Sequence, residues 1–257
     1  MTRIRWAAWC WILCVLTFPA QVLAALQWPQ KYSWSSNLIS DLGVTACGLY
    51  NPGTGVERLI CSPWHLLANG STVANGLLLA AGSALLWSAW PNRRQGQWAM
   101  ALLLVGGLLV SAVGLLPWDL YPAAHETAAL LQAFCQWAGM VVLILALGRG
   151  SRLAAVSRAT ALALLVSVAG FILFLSGVGG GKEPILGLGA AERLAFDSLT
   201  LWGVAVGCLL LRLPAGRPSP VVSVENPAAG AEQLRIRTGR DQPFDGVKHF
   251  GDVRTGG

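Results

Sequence analysis

Apolar residues along this chain do not alternate and do not keep to one helical stripe. They run unbroken for about twenty positions at a time, separated by short polar turns. Six such runs stand out, roughly at 6–26, 63–90, 97–116, 123–147, 153–176 and 190–212. Runs of about 20 apolar residues match the thickness of a bilayer core, and a helix that is apolar almost all round is a buried or membrane helix. The alternating short segments of a membrane barrel are absent. The pattern therefore predicts an all-α polytopic membrane protein with six transmembrane helices over 1–212. It also predicts an outer loop at 27–62 and a disordered cytoplasmic tail at 213–257.

Composition sharpens this reading. Of 257 residues, 54% are hydrophobic and 12% charged, with a mean hydropathy of +0.57. Soluble domains carry about twice that share of charge. Twelve tryptophans against three tyrosines suit a chain with many interfacial anchors. An ordinary soluble enzyme and a disordered protein are both excluded. Past Pro214 the apolar pattern stops, and the Pro, Gly and mixed charges there bury too little to offset ordering entropy.

Charge gives the orientation. Arg3, Arg5, Arg93, Arg94, Arg149, Arg152, Arg158, Arg212 and the basic residues of the tail fall on one side of the six runs. Lys31, Arg58, Lys182 and Arg193 fall on the other. The positive-inside rule then places both termini in the cytoplasm, in a cell inner membrane. The net charge of +6 follows this topology and calls for no nucleic acid. The partner it implies is membrane lipid. Residues 1–25 also resemble a signal peptide, with two arginines, an apolar core and the small-residue end Val22-Leu23-Ala24. The length of the run and its flanking Trp6, Trp9 and Trp28 favour its retention as the first span.

With that orientation the acidic residues before the tail, and His65 and His125 with them, all lie in outer loops or outer helix ends. In the loop, Ser36-Asn37-Leu38-Ile39-Ser40-Asp41-Leu42-Gly43 reads as a short amphipathic turn, with Asn37, Ser40 and Asp41 free to point inward. Cys47 and Cys61 are placed for a disulfide closing about 15 residues, worth around 3 kcal/mol in an oxidising compartment; two free thiols are the alternative. Cys10, Cys14, Cys135 and Cys208 fall within spans as packing residues.

Three spans carry polar stripes. Ser62, His65, Asn69, Thr72 and Gly76 succeed one another at steps of three and four, with Ser62 an expected N-cap and Pro63 the first helical residue. His125, Gln132, Gln136 and Gly139 share a face of the fourth span. Arg193, Asp197, Thr200 and Gly207 share one on the sixth, with Arg193 and Asp197 spaced for an i,i+4 ion pair. Small and polar residues also glue membrane helices together, so packing alone is one account of the stripes. A shared outer pocket is the other. Helix N-termini, Arg193, Lys182 and the two histidines would favour an anionic group there. The carboxylates point instead to a metal, a proton relay or acid/base work.

No diagnostic cofactor or nucleotide motif is present. Ser176-Gly177-Val178-Gly179-Gly180-Gly181-Lys182-Glu183 lacks the first Gly and the final Ser/Thr of a P-loop, and no HExxH, paired CxxC or nucleophile elbow occurs.

The stretch Tyr32–Gly43, then Cys61-Ser62-Pro63 with Asn69, resembles a prokaryotic membrane family known as domain of unknown function 998. Val113-Gly114-Leu115-Leu116-Pro117-Trp118-Asp119 followed by His125, and the later Glu192-Arg193, are similar to it as well. The resemblance covers roughly 20–212. It implies no activity, and its layout is similar to Frag/DRAM/Sfk-type six-helix membrane proteins, some of them linked to lipid remodelling or organisation.

Three functions stay open. One is binding of a lipid head group or other anionic amphiphile by Asn37, Ser40, Asp41, His65, Asn69, Asp119, His125, Glu192 and Arg193. The second is a hydrolase or transferase with Asp41, His65, Asp119 and His125 as catalytic candidates, and with His65, His125 and Asp119 as ligands if a metal is present. The third is a small-solute or proton-coupled transporter.

Overall fold

A computed structural model describes residues 3–148, 153–180 and 185–213. The expected tail at 213–257 lies outside them except for Leu213, as do Arg149, Arg152, Lys182, Glu183 and His249. The described residues form seven helices: α1 (Arg3–Leu13), α2 (Thr17–Leu26), α3 (His65–Leu85), α4 (Arg93–Leu115), α5 (Pro122–Leu147), α6 (Ala154–Gly180) and α7 (Leu188–Leu211). One 3₁₀ turn, Cys14–Leu16, joins α1 to α2, so the two form a single segment. Pro19 explains the interruption, since it lacks an N–H and its ring crowds the carbonyl four residues back.

Among the described residues five segments are long and apolar enough to cross a membrane: Arg3–Leu26, Arg93–Leu115, Pro122–Leu147, Ala154–Val178 and Leu188–Leu211. The run expected at 63–90 is the exception. Its helix, α3, has 21 residues, roughly 31 Å at 1.5 Å per residue, but Asn69, Ser71, Thr72 and Asn75 dilute its hydropathy. It is also shorter than expected at both ends. Ser62 is not its cap: the Ser62 hydroxyl donates to the Leu42 carbonyl at 2.7 Å, and the helix starts at His65 after a turn through Pro63. At the other end Pro91 disfavours helix at Trp90, and residues 86–92 are turns. Asn92 then caps α4, its side chain accepting from Gln95 N–H.

The helices follow one another around a ring. α4 packs between α3 and α5, α6 packs on α7, α1 lies between α3 and α7, and α5 touches α6. Glycines set the closest approaches. A Cβ on Gly76 would stand 2.4 Å from the Gly107 carbonyl, and one on Gly107 would stand 2.7 Å from Ala80 N, so α3 and α4 meet backbone to backbone. Gly139 admits Leu103 of α4. α1 lies in a notch made by two more: Gly82 of α3 faces Trp11, and Gly207 of α7 faces Ala8. Trp11 is fully buried, donates to the Leu79 carbonyl at 3.1 Å, and stacks at 5.4 Å on Trp202. The signal-like segment is thus a wall of the bundle.

The outer loop is more than the amphipathic turn read from its sequence. Ser40–Gly43 is a 3₁₀ turn, and beyond it β1 (Gly48–Tyr50) pairs antiparallel with β2 (Arg58–Ile60), Gly48 facing Ile60 and Tyr50 facing Arg58. The Cys47–Cys61 disulfide is formed, one rung beyond Gly48 and Ile60. This hairpin is the one departure from an all-α chain among the described residues.

Candidate functional site

The outer loop closes the end of the ring at which α3, α5 and α7 begin, and two arginines fix it there. Arg58 grips the fully buried Asp41, Nε to Oδ2 at 2.6 Å and an NH2 to Oδ1 at 2.9 Å. Asp41 Oδ2 also accepts the Leu38 N–H at 2.9 Å. Asp41, expected to point freely inward, is instead the anchor that joins the hairpin to the 3₁₀ turn. The sequence showed Arg58 as an outer cation but gave no sign of its partner, 17 residues away.

Arg193 does the same for residues 32–37. Its guanidinium donates to the carbonyls of Trp34 (3.1 Å), Asn37 (2.8 Å) and Gly189 (2.9 Å) and to the Tyr32 hydroxyl, and it lies over the Trp34 and Tyr32 rings. The expected i,i+4 pair with Asp197 does not form, because the loop carbonyls take the guanidinium first. Tyr32 in turn donates to the Leu38 carbonyl at 2.8 Å. Burial raises the Tyr32 phenol above its ordinary value, against the opposing pull of Arg193. The loop lies directly on the start of α7. Gly187 has φ +82° and a Cβ there would meet the Ser35 carbonyl at 2.4 Å; Ala190 N–H donates to that same carbonyl. Asn37 is part of this seam, its side chain accepting from Ser33 N–H.

Asp119 ties in the α4–α5 turn. Its Oδ2 accepts from Thr45 N–H (3.0 Å), the Thr45 hydroxyl (2.6 Å) and Ala46 N–H (3.2 Å), while Oδ1 is buried without a partner. His65 sits at the start of α3 with Nδ1 3.1 Å from the Ser62 carbonyl. Among the described residues no three of His, Cys, Asp and Glu come together as a metal-binding group. His65, His125 and Asp119 are thus three separate local contacts.

Beneath the roof made by Ile39, Ser40, Leu42 and Gly43 lies a cavity of about 120 Å³. Asn69 and Thr72 of α3, His125, Gln132 and Gln136 of α5, and Glu192, Asp197 and Thr200 of α7 all line it. The upper polar part of each stripe therefore meets the others, while Gly76, Gly139 and Gly207 at the lower ends serve helix packing. The stripes thus divide by depth, their upper members bordering the cavity and their lower glycines meeting neighbouring helices. Thr17, Gln21 and Asn75 complete the polar wall. Asn75 donates to Thr200 at 3.1 Å and Gln21 to Asp197 at 3.2 Å. Gln21 is hidden in sequence because its helix looks like a signal peptide, although a glutamine inside an apolar run was the same clue that marked Gln132 and Gln136.

Several wall residues keep unused hydrogen-bonding capacity. Gln136 Nε2 donates to Gln132 Oε1 at 2.6 Å, which leaves the Gln132 amide N–H groups and the Gln136 carbonyl oxygen without a partner among the described residues. Glu192 accepts the Ile39 N–H through Oε2 alone. His125 is held by its Nδ1 donating to the Leu116 carbonyl at 2.7 Å. Of the candidate residues, Ser40, Asn69, His125 and Glu192 reach the cavity. Asn37, Asp41, Asp119 and Arg193 hold the roof, and His65 lies off the wall. Of the four catalytic candidates, only His125 borders the space.

The family described as Protein of unknown function (DUF998) matches residues 12–209, so the chain belongs to that family. No curated protein and no solved structure matches it.

Proposed function

We propose that this DUF998 member is an integral membrane protein that takes the polar head of an amphiphile, a lipid head group in the simplest case, into its central cavity. The carrying observation is the Gln132–Gln136 pair. Both side chains are more than nine-tenths buried, with a free donor and a free acceptor on the cavity wall. Unmet amide groups at membrane depth are costly, and hydrocarbon offers them nothing. A polar guest satisfies them. Leu42, Ala68, Leu79, Val113 and Phe196 on the same wall suit the apolar part of that guest.

The anionic preference suggested by the sequence loses its cations. Arg193 is bonded to loop carbonyls, His65 is off the wall, Lys182 lies outside the described residues, and His125, which borders the cavity, gives its Nδ1 to the Leu116 carbonyl. The acidic charge on the wall belongs to Glu192 and Asp197.

The topology in this reading has six spans with both termini cytoplasmic, in the cell inner membrane. α3 is the sixth: Leu66 and Leu77 face outward while its polar row faces the cavity. The disulfide beside the roof fits an oxidising outer side. The test is lipid analysis of detergent-purified protein. Gln132→Leu/Gln136→Leu conserves volume and removes the unmet groups. It should lose most of the co-purifying lipid at an unchanged elution volume; a full lipid complement would overturn the reading.

A further inference from the structure

Two features of α7 point to how a guest enters and to its charge. The first is the balance of charges on the cavity wall. Glu192 and Asp197 line it, no Lys or Arg among the described residues does, and the nearest arginines are each hydrogen-bonded to other groups. Arg193 keeps its charge while bonded to neutral carbonyls, so the two carboxylates exceed the neighbouring cation by one; that excess disfavours an anionic head and leaves a neutral one unrewarded. An ammonium brings the missing charge and three N–H donors for acceptors already on the wall: Glu192, Asp197 and the Gln136 carbonyl oxygen.

The second is a groove of about 660 Å³ on the outside of the ring, lined by Phe18, Val166, Leu186, Leu194 and Leu201, with the charged side chains of Asp197 and Arg193 also on its wall, the latter bonded to the loop carbonyls. Asp197 borders both spaces, so one side chain separates groove from cavity. The helices around it are arranged to leave this gap. α1 packs tightly on α7 through Ala8 and Gly207, but past the 3₁₀ turn α2 packs on α3 instead. Gln21 to Asp197 is the side-chain hydrogen bond that spans α2 and α7 there. The cavity is somewhat smaller than the ~150 Å³ known to admit benzene. It takes a small head, and the chain attached to that head has to stay outside.

We propose that the seam between α2 and α7 is a lateral portal for an ammonium-bearing amphiphile. Its alkyl chain lies along Phe18, Leu194 and Leu201, and its head passes the Gln21–Asp197 hydrogen bond to sit between Asp197 and Glu192. This rests on the cavity-binding reading above and adds the charge of the guest and its route.

The test is native mass spectrometry of the full chain in a maltoside detergent, titrated with submicellar dodecylamine, dodecanol, dodecyl sulfate and, separately, ethylamine. Dodecylamine should bind one per chain, at least tenfold more tightly than the other three. Asp197→Asn should remove that preference. Leu194→Trp, which fills the groove, should weaken dodecylamine severalfold and leave ethylamine unchanged. Equal or tighter binding of dodecyl sulfate would overturn the ammonium assignment, and ethylamine binding as well as dodecylamine would overturn the groove. Dodecanol as the preferred guest, lost in Gln132→Leu/Gln136→Leu, would sink this inference and leave cavity binding standing. No probe bound by any form would end both. Should Asp197→Asn fail to fold, the ranking of the four probes on the unmodified chain decides.

Discussion

Replacing Arg58 by Met isolates the contact that holds the roof. Methionine keeps most of the aliphatic stem beside Trp118, over which the guanidinium lies at 5.8 Å. What it removes is the pair of hydrogen bonds at 2.6 and 2.9 Å to Asp41. Asp41 is 0% exposed and would keep only the Leu38 N–H. Breaking a buried pair by deleting one partner costs about 3–5 kcal/mol, because the other charge is left uncompensated. The disulfide and the β1–β2 ladder still hold the hairpin together, so the cost falls on its docking against Ser40–Gly43. At 1.4 kcal/mol per tenfold, protection of amides in 38–60 should drop roughly a hundred- to several-thousand-fold. Hydrogen exchange of the oxidised protein, read by mass spectrometry on peptides of that stretch, measures it directly. Adding Asp41→Asn should recover at least about 1 kcal/mol relative to the sum of the single changes. Exchange within threefold of the unmodified chain, or strict additivity in the cycle, would refute the idea that this pair carries the roof.

Three further outcomes follow from the packing and the titration. Burial raises the Tyr32 phenol, so above about pH 10 the unfolded chain binds fewer protons than the folded one. Stability should therefore be flat below that pH and fall above it by up to about 1.4 kcal/mol per unit; denaturation midpoints between pH 8 and 11 should lose this slope in Tyr32→Phe. Gly107→Ala puts a methyl 2.7 Å from Ala80 N and the Gly76 carbonyl. With backbone on both sides nothing can swing away, and the melting temperature should fall by the equivalent of about 1–3 kcal/mol. Because Ala7, Ala8 and Trp11 are fully buried against α3 and α7, residues 1–25 should be present in the purified protein, which an intact mass checks; a chain beginning near residue 26 would contradict it.

Most of the bundle was legible because a membrane helix announces itself by length and apolarity. α3 was the hardest to read, since Asn69, Thr72 and Asn75, which border the cavity, are among the residues that dilute its hydropathy. The polar stripes were visible at helical spacing, but spacing alone could not say which members face a space and which face a neighbour. Gly76 and Thr72 lie four residues apart on one face, and only the position of α4 makes the first a packing residue and the second a wall residue. The roof was illegible for a different reason. Asp41 and Arg58 are separated by 17 positions, Arg193 and Trp34 by 159, and no local periodicity encodes such pairings. An i,i+4 rule gave Arg193 a partner on its own helix, whereas three backbone carbonyls offered it a better one.

Those pairings decide the chemistry that is left over. Among the described residues Lys31, Arg58 and Arg193 lie on the side of the bundle that the loop covers, and the two arginines are both bonded to groups of the loop. Arg58 neutralises Asp41, and Arg193 binds the carbonyls of Trp34, Asn37 and Gly189. The carboxylates are divided unequally: Asp41 and Asp119 serve the roof, while Glu192 and Asp197 stay below it with one hydrogen bond apiece. A wall that keeps anions and gives its cations to the lid is polarised toward a positive guest. That polarity was unreadable in the sequence, where Arg193 next to Glu192 looks like a neutral pair. It appears once the loop turns the Arg193 guanidinium into the roof, so that Glu192, though still in the field of that charge, faces the space.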